Sequence, residues 1–130
     1  MTNRPGRVLV VEDDPTLREI LEEVLCDAGH EVRLAANGAD GLLSLASWDA
    51  DIVILDLMMP GISSDEFRAQ QRRIGHEPAR LLVLSASHER EAAATRLDAD
   101  ALLAKPFSLV SLTETVDRLV QSRPAPADRR

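Results

Sequence analysis

Glu12, Asp13 and Asp14 stand side by side immediately after an apolar run, residues 8–11 (VLVV). Three further polar residues close apolar runs in the same way: Asp56 after residues 52–55, Ser85 after 81–84, and Lys105 after 101–104. Carboxylates brought within a few ångströms raise one another's pKa unless a cation neutralises them. If Glu12, Asp13 and Asp56 meet in one cleft, Lys105 supplies one positive charge and leaves a deficit of about two, which a divalent ion fits. Hard oxygen ligands on few side chains suit Mg²⁺, an ion that keeps several of its waters. Such an ion beside a nucleophilic carboxylate, an ammonium and a hydroxyl makes a site for phosphoryl transfer, which relies on positioning and on neutralising the phosphoryl oxygens.

Lys105 is the only lysine among the 15 Lys and Arg residues. In so Arg-biased a chain, a lone lysine points to a place that wants a compact ammonium rather than a planar fork. Asp14 differs from its neighbours. It precedes Pro15 and the start of a helical pattern, so its default role is helix N-cap at the positive end of the helix dipole, with metal coordination as the alternative.

The elements that would bring these residues together are legible as alternation. The four apolar runs are continuous, as in strands buried on both faces of a parallel sheet. A fifth segment, residues 31–35, alternates Val32 and Leu34 against Glu31 and Arg33, which suits a half-exposed edge strand. Helical patterns lie between. Residues 15–28 place Leu17, Ile20, Leu21, Val24, Leu25 and Ala28 at helical spacing, with Pro15 at the first turn and Gly29 at the stop. After an Asn37-Gly38 turn, residues 38–47 set Leu42, Leu43 and Ala46 on one face. Residues 64–74 open with a Ser63–Glu66 capping spacing and bury Phe67 and Ile74. A weaker helix covers 89–97, and residues 108–121 turn Leu109, Leu112, Val116, Leu119 and Val120 inward. Five βα units in alternation predict one doubly wound α/β domain with right-handed crossovers. All strand C-termini of such a sheet lie along one edge, so residues more than 90 positions apart converge there.

Composition fits this reading. The chain has 130 residues, 45% hydrophobic and 28% charged, the size and balance of a single globular domain. A net charge of −7 argues against non-specific binding to nucleic acid or anionic membranes. No apolar run reaches the roughly 20 residues of a membrane span, and residues 1–7 lead directly into a strand rather than forming a signal peptide, so a cytoplasmic location is expected. The single Cys26 is read as a packed thiol, and Trp48 and Phe107 as packing residues. His30, His76 and His88 share no ligand spacing and are read as solvated loop residues. The segment from Ser122 (SRPAPADRR) is polar and carries two prolines, which points to a disordered tail or a truncated linker over 122–130.

The motifs VLVVEDDP, DIVILDLMMPG, LLVLSA and LLAKPF, in this order and spacing, resemble the receiver domain of two-component response regulators over about residues 6–121. The likeness implies a five-stranded (βα)5 flavodoxin-like domain over residues 1–121, with strand order 2-1-3-4-5. It implies that Asp56 accepts a phosphoryl group from a sensor histidine kinase or phosphotransfer protein. Glu12 and Asp13 correspond to the acidic pair that holds Mg²⁺ together with Asp56 and the backbone carbonyl of Met58. Ser85 corresponds to the hydroxyl that bonds the phosphoryl group, and Lys105 to the lysine that pairs with a phosphoryl oxygen, its bond to Pro106 being cis. Output would pass to a protein target through the face of the fourth helix, fifth strand and fifth helix, from a stand-alone monomer or weak dimer without direct nucleic-acid binding. Met58 and Ser87 stand at the two variable positions where the family tunes attack by water.

Three departures from the family pattern matter. Leu102 occupies the switch position, three residues before the lysine, that is usually aromatic. LDAD at 97–100 replaces the frequent AGAD, which should alter the end of the fourth helix. ISSDEF follows Pro60-Gly61 where Asp-Gly is common. Two other classes compete with this reading. An aspartyl phosphatase would need an Asp-x-Asp pair, which Asp56-Leu57-Met58 does not supply, and there is no GxxxxGK[ST] loop. A receiver-like interaction module that is never phosphorylated is the alternative, favoured by Leu102 and opposed by the intact Glu12, Asp13, Asp56, Ser85 and Lys105 set.

Overall fold

The computed structural model describes residues 4–74, 79–86 and 90–124. Strands and helices alternate throughout: β1 Arg7–Val11, α1 Pro15–Asp27, β2 Glu31–Ala35, α2 Gly38–Ser47, β3 Ile52–Asp56, α3 Ser64–Ile74, β4 Arg80–Ser85, α4 Arg90–Arg96, β5 Ala101–Ala104 and α5 Leu109–Ser122. All five strands are parallel, in the order β2-β1-β3-β4-β5. This is the expected doubly wound architecture. Among the described residues, no helix is long and apolar enough to cross a membrane.

The period-2 rule of a strand divides the core in two. Val8 and Val10, Ile52 and Ile54, and Leu82 and Leu84 face α1 and α5, where Leu21, Leu25, Leu112 and Val116 meet them. Leu9 and Val11, Val53 and Leu55, and Leu81 and Val83 face the opposite layer, built from α2, α3 and the end of α4, around Phe67 and Leu97. Leu102 packs on this second side, as a partly buried member of the same core. Burying each such side chain contributes about 1.5–3 kcal/mol. Both faces of the central strands are covered, which is why their sequences are continuously apolar. β2 alternates as expected, with Glu31 and Arg33 exposed and Val32 and Leu34 half-buried.

Helix faces differ from the sequence reading at several places. α2 turns Gly38, Gly41, Leu42 and Leu45 inward and leaves Leu43 71% exposed and Ala46 exposed. A Cβ on Gly41 would come within 2.9 Å of Val11 Cγ2, so this glycine lets α2 lie close on β1. Ile74 is exposed at the end of α3, as are Ile20 and Ala28 along α1 and Leu109 in the first turn of α5. Cys26 is also exposed, not packed.

Caps follow the sequence more closely. Asp14 is the N-cap of α1, accepting from Thr16 N–H at 3.0 Å, and Ser63 Oγ accepts from Glu66 N–H at 3.0 Å. Asn37 caps α2 and Ser108 caps α5. α1 ends in a Schellman pair, Gly29 N–H to Cys26 O and His30 N–H to Leu25 O, with Gly29 at φ 95°. α4 ends in the same pair, Asp98 N–H to Thr95 O and Ala99 N–H to Ala94 O, with Asp98 at φ 55°. The missing glycine therefore leaves the helix stop unchanged, because aspartate tolerates the left-handed region. Arg68, buried in α3, reinforces this stop by donating to Leu97 O at 2.9 Å and Asp98 O at 3.1 Å.

Two long-range polar anchors lie at the N-terminal edge of the sheet. His30 is buried rather than solvated: its Nδ1 accepts from Gly6 N–H at 3.0 Å and its Nε2 lies 2.7 Å from Asp117 Oδ1. Because Nδ1 accepts, the proton sits on Nε2 and is donated to Asp117. His76 and His88 lie outside the described residues. In the second anchor, the fully buried Asp51 receives Arg7 N–H at 2.8 Å and Arg123 Nη1 at 2.8 Å, while Arg123 Nη2 reaches Asp49 at 3.1 Å. Arg4 donates to Val120 O and Arg123 O. Composition assigned 122 onward to a tail, yet Ser122 closes α5 and Arg123 is buried. Trp48 is buried, with the Arg33 guanidinium 4.8 Å from its ring centroid, and Phe107 packs half-buried beside α5.

Candidate functional site

The strand registers decide which side chains meet. Val11 pairs with Leu55, Asp56 with Leu84, and Ser85 with Ala104, so the residues that follow or end these strands share one edge. Two backbone bonds continue the ladders beyond the strands: Leu57 N–H to Leu84 O and Lys105 N–H to Ser85 O, both at 3.0 Å. The edge therefore gathers Glu12, Asp13, Asp56, Ser85 and Lys105 from four strands, as the sequence implied.

Carboxyl oxygens of Glu12, Asp13 and Asp56 lie within 4.8 Å of one another. Glu12 and Asp56 are buried, whereas Asp13 is exposed. Lys105 Nζ lies 3.0 Å from Asp56 Oδ2 and 3.3 Å from Glu12 Oε1. Met58 N–H donates to Asp56 Oδ1 at 3.0 Å, while the Met58 side chain is 65% exposed. Ser85 is fully buried at the end of β4. Beside Asp56 a cleft of about 420 Å³ opens toward Met59, Ile62, Ser63 and Arg96.

Electrostatics in this cluster are uneven. Burial, then hydrogen bonding to Asp56 and its negative charge, pushes the Glu12 carboxyl up to about 8 against the pull of Lys105. Burial works the same way on Asp56, but hydrogen bonds from Glu12, Met58 N–H and Lys105 prevail and hold it below the usual carboxylate range. Lys105 is held above the ordinary lysine value, because its contacts with Asp56 and Glu12 outweigh its partial burial. Without a cation, Glu12 keeps a proton and Asp56 carries the charge.

The donor set fits a hard divalent cation. Glu12 Oε2 is buried and meets no hydrogen-bond donor among the described residues, so once Glu12 is ionised that oxygen needs a cation against it. Three carboxylates at ligand spacing supply the oxygens that Mg²⁺ prefers.

Sequence reasoning missed Arg18. Its Nη1 donates to Glu12 O at 2.9 Å and to Asp13 O at 3.4 Å, reaching back from the end of the first turn of α1 to the loop that carries the acidic pair. Its partners are main-chain carbonyls, so no complementary residue type in the sequence marks it.

Residues 8–117 match the family model for the response regulator receiver domain. The response regulator MprA of Mycolicibacterium vanbaalenii is 37% identical over 125 residues, covering 95% of this chain and 54% of that protein. The transcriptional activator protein PfeR of Pseudomonas aeruginosa is 37% identical over 116 residues, covering 88% of this chain and 38% of that protein. The chain thus spans about half or less of the length of these curated relatives. Among solved structures, the chemotaxis protein CheY4 of Vibrio cholerae superposes with a TM-score of 0.80 at 29% identity, over 89% of this chain and 99% of that one. The response regulator TrrA of Thermotoga maritima, solved in complex with Mg²⁺ and BeF, gives 0.77 at 36% identity, over 88% and 98%. A matched span from the first core strand into the last helix makes this chain a member of the response regulator receiver domain family.

Proposed function

We propose that this domain is a phosphorylation-driven switch in which Asp56 is the phosphoacceptor. A nucleophilic oxygen of Asp56 attacks the phosphorus of a phosphohistidine on a sensor kinase or phosphotransfer protein. A P–O bond forms, the P–N bond breaks with its electron pair going to nitrogen, and the imidazole leaves as the neutral ring, keeping the proton already on its other nitrogen. The single observation that carries this reading is the Asp56 carboxylate, buried at a strand end between the Lys105 ammonium and the Glu12–Asp13 pair.

Each residue has a physical role in that step. Asp56 is held ionised, as a nucleophile must be, and Met58 N–H fixes one of its oxygens. Lys105 stands where a transferred phosphoryl oxygen needs a positive partner, and Ser85 offers a hydroxyl at the end of the neighbouring strand. Glu12, Asp13, Asp56 and the Met58 carbonyl would hold Mg²⁺, which when bound neutralises phosphoryl charge. Receiver domains pass their state to other proteins, and here the face of α4, β5 and α5 is the proposed output surface, with Leu102 repacking beneath it in place of an aromatic ring. The −7 charge favours a protein target over nucleic acid.

The test is direct. Incubated with Mg²⁺ and acetyl phosphate, the wild-type domain should gain the mass of one phosphoryl group, and Asp56→Ala should gain none. Beryllofluoride should give a Mg²⁺-dependent spectral change in the wild type alone. Failure of both in the wild type would leave an unphosphorylated interaction module as the better reading.

A further inference from the structure

The acidic loop between β1 and α1 must place like charges together, and it has to be held in that arrangement by something other than the cation it awaits. Three contacts hold it. Glu12 N–H donates to Ala35 O at 3.0 Å, Asp14 is fixed as the N-cap of α1, and Arg18 Nη1 reaches Glu12 O and Asp13 O. The third is the unusual one. A guanidinium near the N-terminus of a helix sits at the positive end of the dipole, where an anion is the stabilising choice. Helix stability therefore does not account for an arginine at this position. Its hydrogen bonds go to main-chain carbonyls, not to the carboxylates, so the side chains of Glu12 and Asp13 stay available to a ligand. Both hydrogen bonds come from one nitrogen, Nη1, so a single donor group holds two successive carbonyls.

We infer that Arg18 is a positioning residue: it clamps the main chain of Glu12 and Asp13 so that their carboxylates meet Asp56 at cation-binding distance. This rests on the reading of the site as a Mg²⁺ site. Partners behind metal ligands commonly change metal affinity by tenfold or more when removed. Here the clamp and the bare charge act with opposite sign. Removing a cation near a Mg²⁺ site should tighten binding by simple electrostatics, whereas releasing the loop should weaken it.

Isothermal titration of Mg²⁺ into the wild type, Arg18→Ala and Arg18→Lys reads that sign, with urea unfolding of each as the check on folding. We expect Arg18→Ala to bind Mg²⁺ about tenfold more weakly. Arg18→Lys keeps the charge but carries it on a flexible stem that holds the carbonyls less firmly, and should fall between the two. In acetyl phosphate assays, the Mg²⁺ concentration for half-maximal rate should rise in parallel while the rate at saturating Mg²⁺ holds. Mg²⁺ affinity in Arg18→Ala equal to or tighter than wild type overturns the inference. If Arg18→Ala does not fold, Arg18→Met, which removes the donors and keeps the stem, takes its place, and wild-type or tighter affinity overturns the inference in the same way. A wild-type domain that takes up no Mg²⁺ would overturn the site reading and this inference together.

Discussion

Lys105 Nζ lies 3.0 Å from Asp56 Oδ2, a pair formed across 49 positions by the sheet edge. The same ammonium touches Glu12, so one cation serves two buried carboxyls. Replacing it with Lys105→Met leaves Asp56 buried without its counter-ion. The metal-free domain should lose about 2–3 kcal/mol by urea unfolding, because removing one partner strands a buried charge. Mg²⁺ should recover part of that loss and bind more tightly than in the wild type. Unchanged stability without metal would show that solvent already screens the pair.

The acidic cluster predicts a pH dependence with a definite sign. In the metal-free fold Glu12 titrates near 8, whereas in the unfolded chain it titrates near its ordinary 4.5. Between these values the folded state holds a proton that the unfolded state has lost. This group's contribution to stability is therefore complete below 4.5 and is lost as pH rises toward 8. Asp56 works in the opposite sense: its contribution is present above its ordinary 3.8 and is lost as pH falls below it. Mg²⁺ needs Glu12 ionised, so binding at pH 7 should release close to one proton, and affinity should climb toward pH 8 and then level off. Calorimetry in two buffers of different ionisation enthalpy measures that proton directly.

Met58 bears on the lifetime of a phosphorylated Asp56. Its exposed thioether side chain stands two residues past Asp56 and offers nothing that orients a water for attack. Met58→Asn should shorten the half-life of the phosphorylated domain several-fold, read by loss of radiolabel or of the phosphoryl mass. A strongly lengthened half-life in that variant would contradict the argument.

The stop of α4 predicts two changes of opposite sign. Asp98→Gly removes the strain of a left-handed aspartate and should stabilise the domain by about 0.5–1 kcal/mol. Arg68→Met strands the Leu97 and Asp98 carbonyls beneath a buried apolar side chain and should cost about 2–3 kcal/mol. Thermal or urea unfolding of both variants distinguishes a helix stop held by geometry from one held by the arginine.

Much of this molecule was legible in its sequence because its strands are buried on both faces and each ends on a polar residue. That coincidence identified Glu12, Asp56, Ser85 and Lys105 together, and parallel topology then required them to converge. Helix faces were harder. α2 carries a single charged residue, Asp40, so polarity does not mark its outside, and glycines on its inner face are invisible to a hydrophobic pattern. The spacing accordingly places Leu43 inward, whereas it lies outward. His30 and Arg123 were misread for another reason: their partners, Asp117 and Asp51, lie 87 and 72 residues away, and no local pattern announces such pairs. Arg18 was a third kind of miss, since a side chain that holds carbonyls leaves no complementary residue type to search for.

The polar cluster around Asp51 gives the domain an almost circular path. Arg4 and Arg123 are held against each other at the edge of the sheet opposite the acidic cleft. A fluorophore or affinity handle attached near either residue would therefore project from the far side of the molecule and leave the approach to Asp56 unobstructed. A peptide joining the two could close the backbone without crossing that approach.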